Sequence, residues 1–305
     1  MTTPPPPIHN ALLTIPRTAS NLLVRILNLE NQPSILRHPS DGYLFLSTMR
    51  FKGENDMHSR FYSAWTPSER SGMNDVFASC VADWMRLVED AEAQRKGTCV
   101  KEHVNWMVRP DVEDAVVEEG YVGNPICIPD AFLRDKLRLT LLIRHPALVV
   151  PSLLRSALDN EGLEVVMEEG AEERMRREVS YRWHVALYEM LANERYSSRE
   201  EDVKYPIVLD AADLGNEVLM KKYAGAIGLN PRFFRFVWDA ESAEGKNKVD
   251  ARMRDTLLAS KGIVVEKLSG NEDFDLERLD DEWRQEFVLY DRTADPLLAT
   301  LTQRP

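Results

Sequence analysis

Three short segments hold residues that could grip an anion or move a proton. The first is Pro16-Arg17-Thr18-Ala19-Ser20-Asn21. It follows a short apolar run, Ala11 to Ile15, and precedes a stretch with a helical pattern, Asn21 to Leu29. Small residues let a backbone approach a phosphate, and the free amides and dipole of a helix start attract negative charge. Arg17 adds a planar, bidentate donor. The loop has neither the two glycines nor the Gly-Lys-Ser/Thr ending of a nucleoside-triphosphate loop, which excludes that pattern. Taken alone, the segment reads first as an ordinary helix start capped by Ser20 or Asn21.

The second segment is Lys101-Glu102-His103, at the end of another apolar run. Residues two apart in a strand share a side, so Lys101 and His103 face one space. A neutral histidine of pKa about 6.5 accepts a proton near physiological pH, and a neighbouring ammonium keeps it neutral. A surface lysine beside a histidine bonded to backbone fits the same residues. The third segment is Arg144-His145-Pro146, with Ser152 eight residues after Arg144. An arginine at a strand end and a serine on the next helix can converge on one phosphate. An arginine paired with a carboxylate and a serine facing solvent is the plainer alternative.

These groups need elements to hold them. Apolar runs at 11–15, 98–107, 137–146 and 205–214 read as strands, and Gly42 to Thr48 as a further short one. A helix is expected from about Met73 to Arg95, capped by Ser71. Its apolar positions Val76, Phe77, Cys80, Val81, Trp84, Leu87 and Val88 recur at helical spacing. Residues 147–158 read as helix, with Pro151 in the first turn, where a missing amide hydrogen does little harm. Further helices are expected over Val179 to Glu194 and Asn216 to Ile227. The segment Glu161 to Arg177 reads as a solvated helix or cover, and Asp250 to Leu301 as a mainly helical tail. Strands alternating with helices predict an α/β fold: a mostly parallel central sheet flanked by helices on both faces, in three layers. Ligands of such sheets bind beyond the carboxyl ends of the strands. The expectation is a single domain over 1–305, with 1–9 a flexible proline-rich arm.

Composition narrows the partners. With 305 residues, 44% of them hydrophobic, the chain can build a full core. A net charge of −12 makes it a poor general binder of nucleic acid or membrane, so any anion must bind at a local basic site. Cys80, Cys99 and Cys127 show no metal spacing and read as reduced thiols of a cytoplasmic protein. No metal site is expected. His9, His38, His58 and His184 are scattered and read as structural or surface residues.

Taken together and in order, the three segments resemble those of the sulfotransferases that use 3′-phosphoadenosine-5′-phosphosulfate (PAPS). "PRTASNLL" is similar to the loop that binds the 5′-phosphosulfate, with Ala19 where the family usually has glycine and Asn21 where it has a hydroxyl residue. "RHPALVVPS" keeps the family's Arg-to-Ser spacing for the 3′-phosphate, and "KEH" looks like its Lys-x-His. The likeness covers roughly residues 10 to 230. It implies PAPS as donor and no metal. Arg17, Thr18, Ala19, Ser20, Asn21, Arg144 and Ser152 would hold the nucleotide, Tyr181 would stack on adenine, and Arg17, Lys101 and His103 would be catalytic. The family's C-terminal 3′-phosphate segment has only a partial echo in "SKGI" (260–263), with Lys246 or Lys248 as substitutes. Phe51, Phe61, Tyr62, Trp65, Trp106 and Tyr121 suit a compact, partly aromatic small-molecule acceptor. Two alternatives stay open: a sulfotransferase-like enzyme turned to PAPS-independent acid-base chemistry, and a non-catalytic ligand-binding relative.

Overall fold

The computed structural model describes residues 6–38, 42–58, 60–113, 123–168, 170–192, 203–240 and 255–268. Among them, five parallel strands form one sheet in the order β2-β3-β1-β4-β5: β1 (His9–Thr14), β2 (Ile35–Leu36), β3 (Gly97–His103), β4 (Leu137–Ile143) and β5 (Ile207–Asp210). All six residues of β1 are buried. Its apolar part, Ala11 to Leu13, is the portion visible in the sequence; His9, Asn10 and Thr14 are buried polar residues of the same strand.

The sheet divides the core in two. Ala11, Leu13, Val100, Leu139 and Leu141 pack with Phe77 and Trp84 of α3 (Pro67–Ala93) and Trp183 and Leu187 of α9 (Arg182–Ala192). Leu12, Leu142 and Leu209 face the other way, onto Leu23 and Leu27 of α1 (Ser20–Leu27) and Met220 of α10 (Glu217–Ala226). The result is the three-layer α/β architecture. After β1 the chain runs to one side of the sheet, and after β3 it crosses to the other. The carboxyl end of β1 is therefore a switch point, flanked by the ends of β3 and β4. Register brings the ends level: Thr14 pairs with His103, and Leu13 with Leu141.

Several local expectations are corrected. Residues 42–48 form no strand; they turn and enter α2 (Leu46–Glu54), because the Phe45 amide is bonded by the Glu102 carboxylate and Thr48 Oγ1 donates to the Phe45 carbonyl. The cap of α3 is Thr66, whose hydroxyl accepts from the Glu69 amide while Glu69 returns a bond to the Thr66 amide. The polar opening turns, with Pro67 first, extend this helix well ahead of its apolar stripe. Pro151 lies inside α6 (Pro146–Glu161), since the helix already starts at Pro146, capped by His145. The arm ends before His9, which is 3% exposed and already in β1; residues 1–5 lie outside the described residues. Of the tail, 255–268 is described, with a short helix at Asp255–Ala259. No helix among the described residues is long and apolar enough to cross a membrane.

Candidate active site

The turn after β1 is built from left-handed residues. Arg17 has φ 69° and Ala19 φ 61°, where side chains other than glycine are strained. Ala19 is the residue just before α1 and gives the helix start no side-chain cap. The alanine thus takes up the conformation for which glycine is suited, at a cost of about 1 kcal/mol. Ala19→Gly is expected to raise unfolding stability by up to about that amount in a urea titration; an unchanged or lower midpoint contradicts it. The Thr18 hydroxyl is not turned outward. It is buried and donates to the Ile15 carbonyl at 2.8 Å, so Thr18 braces the loop and offers a ligand only its backbone.

Arg17, Arg144 and Ser152 come together. Arg17 Nε donates to Ser152 Oγ at 2.9 Å, and an Arg144 Nη donates to the Arg17 carbonyl at 2.8 Å. The second Nη of Arg144 reaches the Lys267 carbonyl at 2.5 Å. Arg144 Nε is buried and has no hydrogen-bond partner among the described residues. Burial lowers the pKa of this guanidinium, and the nearby Arg17 and Arg155 charges lower it further. Converging cations and an orphaned donor fit an anion such as a phosphate. Arg155 is a member that the sequence motifs did not single out; it lies three residues after Ser152, on the same helix face.

Tyr181 occupies a different place from the one expected of an adenine platform. It is 1% exposed, and its hydroxyl donates to the Arg144 carbonyl at 2.5 Å and accepts from the Arg144 amide at 3.0 Å. Its structural work is to fix the backbone that presents Arg144. Ser260 and Lys261 serve a local turn with Trp238, while Lys246 and Lys248 lie outside the described residues.

His103 ends β3 buried, beside Thr14. The Thr14 hydroxyl donates to the Glu102 carbonyl at 3.1 Å, so its oxygen accepts from His103 Nδ1–H across 2.7 Å. That assigns the proton to Nδ1 and the lone pair to Nε2. Burial, and then the Lys101 ammonium, hold the imidazole pKa well below its usual value, so the ring is neutral at pH 7. Lys101 Nζ donates to Asn21 Oδ1 and to the Tyr43 hydroxyl. Tyr43 also packs against His103, with ring centroids 5.3 Å apart, and Trp106 stands edge-on to His103 at 4.6 Å. Tyr43 carried no signal in the sequence, because its contacts depend on a turn that read as a strand.

Glu102 points to the opposite side of β3. Burial raises its carboxyl pKa to about 8, although Phe45 N–H donates to it at 3.3 Å. Folding therefore favours a proton that the unfolded chain releases above about pH 4.5. The associated stability is fully present below that pH and is lost as pH rises through about 8. Relative to Glu102→Gln, the wild type should lose thermal stability between about pH 5 and 8. Parallel pH profiles for the two proteins contradict this.

A shallow cleft opens beside Trp106, lined by Thr48, Lys52, His58, Tyr62, Trp65 and Glu178 among others. Of the aromatic residues expected around an acceptor, Tyr62, Trp65 and Trp106 line it. Phe51 packs on the core, Phe61 is 56% exposed, and Tyr121 lies outside the described residues. His184 is fully buried against Tyr181.

No family model matches the chain. Its sequence is 32% identical over 310 residues to sulfotransferase ppzF of Metarhizium majus (strain ARSEF 297), covering 92% of this chain and 89% of that protein. It is 31% identical over 303 residues to sulfotransferase ppzF of Metarhizium rileyi (strain RCEF 4871), covering 90% and 87%. Among solved structures, the sulfotransferase domain of the Synechococcus PCC 7002 olefin synthase aligns with 98% of this chain and 96% of its own length, at 16% identity and a TM-score of 0.46. On the strength of these two sequence matches, this chain belongs to the sulfotransferase family.

Proposed function

We propose that the protein transfers a sulfuryl group from PAPS to a hydroxyl of a small molecule, with His103 as general base. The observation that carries this reading is the convergence of Arg17, Arg144 and Ser152 at the switch point, with the buried Arg144 Nε unpartnered among the described residues. Arg144, Ser152 and Arg155 would hold the 3′-phosphate. The amides of 18–21 at the start of α1 would hold the 5′ side, aided by the helix dipole. PAPS supplies the transferable group and a phosphate leaving group.

The residues then divide the work. Arg17 would offset the negative charge that grows on the leaving oxygen, and as a fixed donor it would do so without reorganising. Lys101 brings an ammonium to the space between that loop and His103. The Nε2 lone pair of His103 takes the acceptor proton while Thr14 keeps the ring oriented, a contribution of ~10² to 10⁴-fold. The acceptor enters through the cleft walled by Trp65 and Trp106, where aromatic faces suit a compact, partly aromatic molecule.

The test is product analysis by mass spectrometry with PAPS and a panel of small alcohols and phenols. A product heavier by one sulfuryl group, formed only with PAPS, is expected. Turnover of a panel member that proceeds equally without PAPS contradicts the reading and favours acid-base chemistry on the same scaffold.

A further inference from the structure

Lys101 is gripped from two sides, by Asn21 of the first motif and by Tyr43, which belongs to none of the three. Its Nζ lies 2.5 Å from Asn21 Oδ1 and 2.6 Å from the Tyr43 hydroxyl, and 3.8 Å from the Tyr43 ring centroid. The three residues come from β3, the first turn of α1 and the turn before α2.

The turn is shaped for this contact. Tyr43 has φ 57°, a region that bulky side chains seldom adopt. Gly42 has φ 106°, and a Cβ there would sit 2.6 Å from the Lys101 carbonyl oxygen. The Tyr43 amide donates to that same carbonyl at 2.9 Å. Glu102 secures Phe45 from the other side of the strand. Strain of this kind persists only where surrounding structure enforces it, and it gathers at functional sites. Here it delivers one side chain to three partners: its hydroxyl to Lys101, and its ring to His103 and Trp106.

Asn21 is oriented by the same network. An ammonium only donates, so the amide oxygen faces Lys101, which turns Nδ2 and its two donors to the other side. Asn21 stands in the anion-binding turn, where the resembled family has a hydroxyl. A longer amide can reach Lys101 and still offer N–H donors.

We propose that Asn21 and Tyr43 are positioning residues for the transfer, which hold the Lys101 ammonium at a fixed point between the donor loop and His103. Both act through Lys101, and their role in transfer rests on the sulfotransferase reading above. A lysine on a flexible four-carbon stem loses much rotamer freedom when ordered. Two fixed acceptors remove that freedom before the reactants arrive.

The experiment is ¹⁵N NMR of lysine side chains in the full chain, with the Lys101 Nζ resonance assigned by its loss in Lys101→Met. The wild type should show a Lys101 ammonium with slowly exchanging protons, and that resonance should move on adding PAP. Tyr43→Phe keeps the ring and loses only the hydroxyl. Asn21→Ser restores a hydroxyl too short to reach Lys101. Each should speed Nζ proton exchange about 10-fold, and the pair should abolish the slow signal. Unchanged exchange in both single variants, or no slow signal in the wild type, overturns the proposal. A protected signal that responds to Tyr43→Phe but not to PAP leaves the positioning in place and counts against the donor reading instead.

Discussion

Arg144→Ala is expected to weaken PAP binding about 100-fold, two decades at about 1.4 kcal/mol each. The side chain bridges three segments, holding the carbonyls of Arg17 and Lys267 while its own backbone is clamped by Tyr181. Its removal takes away a buried charge-assisted donor and loosens the turn that carries Arg17. Arg144→Lys should recover only part of the affinity, because a single ammonium cannot span two carbonyls and also meet a phosphate. Calorimetry with PAP checks both. Affinity within threefold of wild type for Arg144→Ala would remove Arg144 from the nucleotide site.

The second large effect is kinetic. His103→Ala should lower transfer by ~10² to 10⁴-fold while PAP affinity stays unchanged, since the proposed base would touch the acceptor and not the nucleotide. His103→Gln keeps a side chain to bond Thr14 but offers no comparable base, and should be equally impaired. The pH profile adds a sign. The base works when neutral, so kcat/KM falls on the acid side, as pH drops through the His103 pKa. Burial and Lys101 place that pKa well below its usual value. The profile should therefore stay flat from about pH 6.5 upward to 8. A limb near pH 6.5 that vanishes in His103→Ala would show the ring far less buried than it is here. Equal transfer rates for wild type and His103→Ala would exclude His103 as base.

Much of the site was legible because its parts are local. Each motif is a strand end joined to the first turn of the next element; read singly each had a plainer alternative, and the resemblance of the three in order is what singled out Arg17, Lys101, His103, Arg144 and Ser152 as candidates. Register did the rest, since parallel pairing sets Thr14 opposite His103. The misreadings are non-local in origin. Gly42 to Thr48 has a strand-like run, but the Glu102 carboxylate and the Lys101 carbonyl fold it into a turn. The edge strand β2 has two residues, too few for any periodicity. Tyr181 looked like a platform because aromatic type carries no information on burial. The Asn21 departure weakened the motif in the sequence, and only the fold shows the lysine that its carbonyl meets. The proton on Glu102 is likewise a consequence of burial, invisible in "KEH" itself.

The central claim is that this site holds a nucleotide by both of its phosphate ends. It is tested most directly by titrating the wild type with PAP and, separately, with 5′-AMP in a calorimeter. The expected result is one site for PAP and affinity for 5′-AMP weaker by about 100-fold, because only PAP carries the 3′-phosphate that Arg144 and Ser152 are proposed to hold. Equal affinity for the two nucleotides, or no heat with PAP, would contradict it.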